Sequence, residues 1–164
     1  MKIGHAAGGI RGIVSFRLEP GCDVLEGIQR VCRERGISCA AVLAAIGSLR
    51  RASLFTAVSL PNKAGGGYGE PIVIPGPLEL VCAQGTVGRE EDGGHYLHVH
   101  AVVSDGSARS FGGHLIAGSA PVLITCEVTL GVIAGIEALR RFDPAVEMKV
   151  LGFREGGGAA SSGP

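Results

Sequence analysis

After one amphipathic stretch near its start, this chain is written almost entirely as short apolar runs closed by glycine, proline or Asp-Gly signals. That succession limits the folds open to it more than any other feature. Ile13–Leu18, Ser38–Ile46, Ser53–Leu60, Ile72–Ile74, Leu78–Val87, Tyr96–Ser104, Ala108–Ile116 and Pro121–Leu130 each read as a strand. Gly47-Ser48 and Pro75-Gly76-Pro77 read as breaks between runs, and Arg89–Gly94 as a polar turn. Residues 61–70, with Gly65-Gly66-Gly67, read as a surface loop; they open no helix and lack the Lys and Ser/Thr of a phosphate-binding loop. The exception to the strand pattern lies at 23–36. Asp23 and Glu26 have capping-box spacing, and Val24, Leu25, Ile28, Val31 and Cys32 form one apolar helical face that Gly36 is placed to end. A second short helix is expected at Ile136–Phe142. One early helix followed by many strands predicts an α+β domain with a mostly antiparallel, strongly curled β-sheet and one main helix.

Composition sets the material of the core and excludes some partners. Aromatic residues make up 4% of the 164 and tryptophan is absent, so Val, Ile, Leu and Ala must fill the interior. Lys plus Arg and Asp plus Glu each number 15, a formal net charge of zero. Binding to phosphate backbones draws on a surplus of cations, and none is available here; DNA as a partner therefore has no support from charge. Five cysteines with no C-x-x-C pair form neither a disulfide framework nor a thiolate zinc knuckle and read as small buried hydrophobes. The first residues lack the apolar core of a signal peptide, and the longest apolar run, Cys39–Ile46, is too short to span a bilayer. The chain is expected to be cytoplasmic and without membrane partners. Residues 1–10 are expected to be a flexible arm, 11–143 the folded domain, and 144–164 a C-terminal extension whose Gly/Ala/Ser-rich end, from Glu155, is disordered.

Much of the expected sheet is apolar on both faces, as Val42, Leu43, Val81, Val102, Val103, Leu123 and Ile124 illustrate. A face covered by another copy of the chain accounts for this pattern, as does a tightly curled sheet that covers itself.

The chemistry concentrates in Tyr96-Leu97-His98-Val99-His100. Residues two apart on a strand share a face, so His98 and His100 present their imidazoles side by side. Asp105-Gly106 supplies a turn between two strand-like runs. A hairpin centred near Gly106 sets position 98 opposite 114 and 100 opposite 112, bringing His114 beside His98 and leaving Gly112 as open space facing His100. An odd slip of register would send His114 to the other face. Three converging neutral imidazoles suit zinc or another divalent metal and leave a fourth position for water or substrate. On spacing alone, a metal site and a set of hydrogen-bonded pocket histidines remain alternatives. His95 has the opposite parity and reads as a turn residue. Glu127, within an otherwise apolar strand, is the candidate for proton transfer, and Arg17 and Glu79 are candidate substrate contacts; the alternatives are solvent-facing carboxylates at Glu127 and Glu79 and an ion pair at Arg17.

Arg17-Leu18-Glu19-Pro20-Gly21-Cys22-Asp23-Val24, Ile46-Gly47-Ser48-Leu49, Gly76-Pro77-Leu78-Glu79-Leu80, Leu97-His98-Val99-His100 and Gly112-Gly113-His114-Leu115 together resemble the plants-and-prokaryotes-conserved domain family (domain of unknown function 296). The stretches fall in that family's order over roughly residues 11–143. The resemblance implies an α+β fold, a homotrimer, and a metal held by His98, His100 and His114. Members of the family are also described as DNA-binding, but in the plant proteins a separate AT-hook with an Arg-Gly-Arg-Pro core makes that contact, and this sequence has no such run. A more distant similarity is to acetolactate decarboxylase, in which a His-x-His strand followed by Gly-Gly-His binds zinc. These likenesses imply a metal-dependent lyase or hydrolase acting on, or a protein binding, a small carbonyl or carboxylate metabolite, with a DNA-binding regulator lacking an AT-hook as the alternative.

Overall fold

The computed structural model describes residues 3–156. Its elements run β1 (Gly9–Leu18), α1 (Val24–Glu34), β2 (Ala40–Phe55), β3 (Ala57–Ser59), β4 (Gly66–Tyr68), β5 (Ile72–Arg89), β6 (His95–Ser104), β7 (Ser110–Leu115), β8 (Val122–Ala134), β9 (Ile136–Asp143) and β10 (Met148–Glu155). The expected α+β domain is thus a mostly β one, with one short helix among the described residues.

The helix follows the sequence signals closely. Asp23 caps it, accepting from the backbone N–H groups of Leu25 (3.0 Å) and Glu26 (3.1 Å). The return bond of a full capping box is not made; the second Asp23 oxygen instead accepts from Ala120 N–H at 2.8 Å, tying the helix start to the turn before β8. At the other end Gly36 adopts φ +63°, and Gly36 N–H→Arg33 O and Ile37 N–H→Cys32 O close a Schellman motif. Val24, Leu25, Ile28 and Cys32 are buried against the sheet.

The strands form an eight-stranded sheet in the order β1-β8-β2-β7-β6-β5-β9-β10, with β3 and β4 as a separate pair. Among the described residues all strand pairings are antiparallel except a parallel contact of Arg89 in β5 with Leu139 in β9. β2 also pairs along its length with β5, so the path β2–β5–β6–β7 returns to β2 at Phe55–His114. Aliphatic side chains such as Leu49, Leu54, Leu80, Leu115 and Leu130 fill the interior of this arrangement.

Several expectations are corrected: Cys22 and Cys82 are exposed rather than buried, and Gly66–Tyr68 of the expected surface loop is β4. Gly47-Ser48 and Pro75-Gly76-Pro77 do not break the chain into separate strands; each lies inside one long strand, β2 or β5, close to an irregularity of register. At both sites glycine admits a close backbone approach: a Cβ at Gly47 would collide with Thr125 O, and one at Gly76 with Arg50 O. Ile136–Phe142 is not a helix. It is most of β9, held to β10 by a continuous register from Met148↔Asp143 to Glu155↔Ile136, so pairing overrides the helical propensity of its Glu, Ala, Leu and Arg. The expected extension from 144 therefore contributes a strand, and Glu155 is its last residue; the rest of the expected disordered end, from 157, lies outside the described residues. No helix is long and apolar enough to cross a membrane among the described residues.

Candidate metal centre

The hairpin of β6 and β7 carries the three histidines, and its turn sets their register. Asp105 organises residues 105–109: its Oδ1 accepts from Ser107 and Arg109 N–H, its Oδ2 from Arg109 Nε, and Ala108 takes up φ +61°. The hairpin is consequently centred on Ser107 rather than Gly106. His100, not His98, pairs with His114, and Gly112 faces Val102 rather than His100. The slip from the expected register is two residues. An even slip preserves the face, so all three imidazoles still project together.

The ring centroids stand 5.2, 5.3 and 5.4 Å apart, nearly an equilateral triangle. One ligand nitrogen from each ring lies within 4.8 Å of the others. His98 Nε2 and His100 Nε2 are 3.3 Å apart. Two nitrogens at zinc-bonding distance and a tetrahedral angle would be separated by roughly the same amount, about 3.3 Å. The donor set therefore fits a first-row divalent ion. His98 and His100 are exposed and His114 is half-buried, so the centre opens outward.

Electrostatics keep the rings available as ligands. Burial, with the neighbouring His98, His100 and Arg140 charges, pushes the His114 imidazole down to about 4. His98 is lowered by burial, His100 and Arg140. Both are neutral at pH 7, the form that binds metal. The Tyr68 hydroxyl lies 3.1 Å from His114 Nδ1, leaving Nε2 as the free ring nitrogen. Partners of this kind fix the tautomer and orientation of metal-binding histidines. Tyr68 stacks on Phe55 (5.3 Å, 17°), and its ring lies 4.9 Å from that of His114. On the other side Tyr96 lies 6.4 Å from His98 and carries the Arg140 guanidinium 4.5 Å from its ring centroid.

Both tyrosines of the chain thus flank the triad. Neither Tyr68 nor Arg140 was signalled by its local pattern: Tyr68 follows the glycines of an expected loop, and Arg140 lies in the segment expected to be helical. Rarity is a signal for Tyr68 alone, an aromatic residue in a chain with few; Arg140 has none. His95, as its parity suggests, stands apart: its Nε2–H donates to Ile37 O at 2.7 Å.

The other candidates are not beside the triad within one chain. Glu127 is exposed and pairs with Arg17 on one side and Ile46 on the other. Along β2, Ile46 is nine positions from Phe55, the partner of His114, or roughly 30 Å of strand. Arg17 binds Glu19 at 2.7 Å. Glu79 is exposed and pairs with Ser48 and Ser104, five positions along β5 from the His100 partner Gln84. No carboxylate or thiolate joins the three histidines among the described residues.

The three-histidine hairpin on this sheet is accompanied by a direct family match. The model of the Plants and Prokaryotes Conserved (PCC) domain matches residues 5–134, and the chain belongs to that family. Two proteins named Bifunctional protein GlmU, from Synechococcus strains JA-3-3Ab and JA-2-3B'a(2-13), are 30% and 29% identical over 133 residues. The match takes in 81% of this chain and 19% of each relative, so the chain spans about a fifth of their length. Among solved structures, the metal-containing protein AF0104 of Archaeoglobus fulgidus superposes with a TM-score of 0.74 at 27% identity, over 92% of this chain and 99% of its own. A plant- and prokaryote-conserved protein of Pyrococcus horikoshii (TM-score 0.71, 22% identity, 92% and 97% covered) shares the fold. So does a protein of Ralstonia eutropha JMP134 named for a suggested DNA-binding role (TM-score 0.70, 24% identity, 84% and 89% covered).

Proposed function

We propose that this chain is a metal-binding protein, with zinc as the metal, that binds or transforms a small carbonyl or carboxylate compound at His98, His100 and His114. The convergence of one ligand nitrogen from each ring within 4.8 Å carries the reading. The metal-containing Archaeoglobus relative supports it. A bound divalent ion would supply Lewis acidity and leave room for water or ligand, the chemistry of a metal-dependent lyase or hydrolase. Around it, the chain's own groups have separate tasks. Tyr68 orients His114, Phe55 backs Tyr68, and the neutral state of His98 and His114 favours loading at neutral pH.

We propose further that the protein works as a cytoplasmic homotrimer. Ile10, Ile13, Ile46, Val73, Val81 and Ile124 are each at least half exposed in the single chain, an apolar surface that subunit contacts would cover. Assembly is also what roles for Glu127 in proton transfer and for Arg17 and Glu79 in substrate contact require, since another copy would have to carry them to the triad. The name of the Ralstonia structure favours a second reading, a DNA-binding regulator. The zero net charge supplies no surplus of cations for it.

Elemental analysis of the purified protein, after zinc loading and removal of excess ion, tests the main reading. One ion per chain is expected, with light scattering giving three times the chain mass. A chain that retains no divalent ion at neutral pH would overturn it.

A further inference from the structure

The surroundings of the triad describe its ligand. Three neutral imidazoles leave a divalent ion its full charge, and no carboxylate of the described residues joins them to offset it. Arg140 adds a cation nearby. Its guanidinium is stacked on Tyr96, and Nη1 donates to Glu90 at 2.8 Å. Nε is buried without a partner, and Nη2 makes no hydrogen bond among the described residues. An arginine immobilised by stacking and one ion pair keeps its Nη2 group free to donate outward, and this cation can hold one oxygen of a carboxylate.

Beside this polar corner lies a cavity of about 270 Å³, whose walls include Leu25, Phe55, Leu97 and Ile116. His114 and Tyr96 are part of the same wall, so the cavity adjoins both the triad and the residue that carries Arg140. Its size falls just below the range of drug-sized ligand sites. Glu26 of α1 also lines it and would repel an anion placed at that end.

We infer that the site takes a short-chain organic carboxylate, with the carboxylate held by Arg140 beside the triad and the apolar tail in the cavity between α1 and the β6–β7 hairpin. This rests on the reading of the triad as a metal centre and adds the ligand's class and orientation. Arg140 lies beyond residues 5–134, where the family model matches, so the anion contact comes from the β9–β10 hairpin that follows it.

The test is calorimetric titration of the zinc-loaded protein with acetate, butyrate, hexanoate and inorganic phosphate at fixed ionic strength. Affinity should rise about threefold to fourfold per methylene until the cavity is full. R140Q should weaken butyrate roughly tenfold with zinc content unchanged. Ala117→Phe, at the exposed rim of the cavity, should remove the dependence on chain length and leave acetate binding as it was. Equal affinity across the series, indifference to R140Q, or phosphate binding tighter than hexanoate would overturn the inference. If R140Q does not fold, the length series on the parent and on Ala117→Phe decides. A parent chain that loads no zinc counts against the metal reading instead. Butyrate and hexanoate titrations of that metal-free chain, with and without R140Q, still judge the carboxylate site.

Discussion

Removing the Asp23 carboxylate should cost the domain far more than a surface cap does. Asp23 is 8% exposed and accepts three backbone N–H bonds: Leu25 and Glu26 on one oxygen, Ala120 on the other. Loss of an N-cap costs about 1 kcal/mol. Stranding the Ala120 N–H, which donates to a charged acceptor in a buried setting, adds about 2 kcal/mol. Asp23→Ala should therefore lose about 3 kcal/mol, a fall in melting temperature of roughly 6–12 °C for a chain of this size. Asp23→Ser separates the two contributions: a serine can cap the helix but is too short to reach Ala120, so about 1 kcal/mol should return. Urea denaturation of the three proteins at one fixed protein concentration measures this, since any assembly makes stability depend on concentration. A loss below about 1 kcal/mol for Asp23→Ala, or a serine variant as stable as the parent, would refute the claim that Asp23 ties α1 to the β8 turn.

His100→Ala should abolish stoichiometric zinc retention while circular dichroism and the elution volume stay those of the parent; loss of the fold would make these histidines structural. Tyr68→Phe removes the partner of His114 Nδ1 and should weaken zinc binding about 10- to 100-fold in a chelator competition, with the melting temperature little changed. In the metal-free protein, His98 and His114 titrate below their ordinary range, His114 near pH 4, while the unfolded chain protonates near pH 6.5. The His114 contribution to stability is thus complete above about pH 6.5 and is lost as pH falls toward 4, and that of His98 falls in the same direction; His114→Gln should flatten part of that loss, and identical pH profiles for the two proteins would contradict the shift. DNA affinity should be weak and vanish at moderate salt, which a salt titration by fluorescence anisotropy checks; sequence-selective binding surviving physiological salt would reverse the ranking of the two functional readings.

What could be read from the sequence depended on how local its cause was. The helix at Val24–Glu34 is specified by residues within it and beside it: an Asp cap, an apolar face at helical spacing and Gly36. The strand runs are equally local in their periodicity. The lengths of β2 and β5 are not, because Gly47 and Gly76 look like terminators until the strand across from each is known; only then do they show as places where two backbones come close. β9 was illegible for the same reason. Its residues favour a helix, and its partner β10 lies in a segment whose composition suggested no element at all.

The site was legible because its essential feature is insensitive to the error made in placing it. A hairpin register moves in steps of two whenever its centre moves by one residue. Shifting the turn centre from Gly106 to Ser107 exchanged the partner of His114 from His98 to His100 but could not change its face. Parity therefore protected the triad, whereas the finer claim that Gly112 clears space at His100 depended on the register and failed. The groups that give the site its chemical character, Tyr68 and Arg140, come from the β3–β4 pair and the β9–β10 hairpin, and no spacing rule connects either to a histidine in another strand. Local sequence thus specifies the three histidines and their shared face. The polarity around them is decided by which distant strands fold against the hairpin.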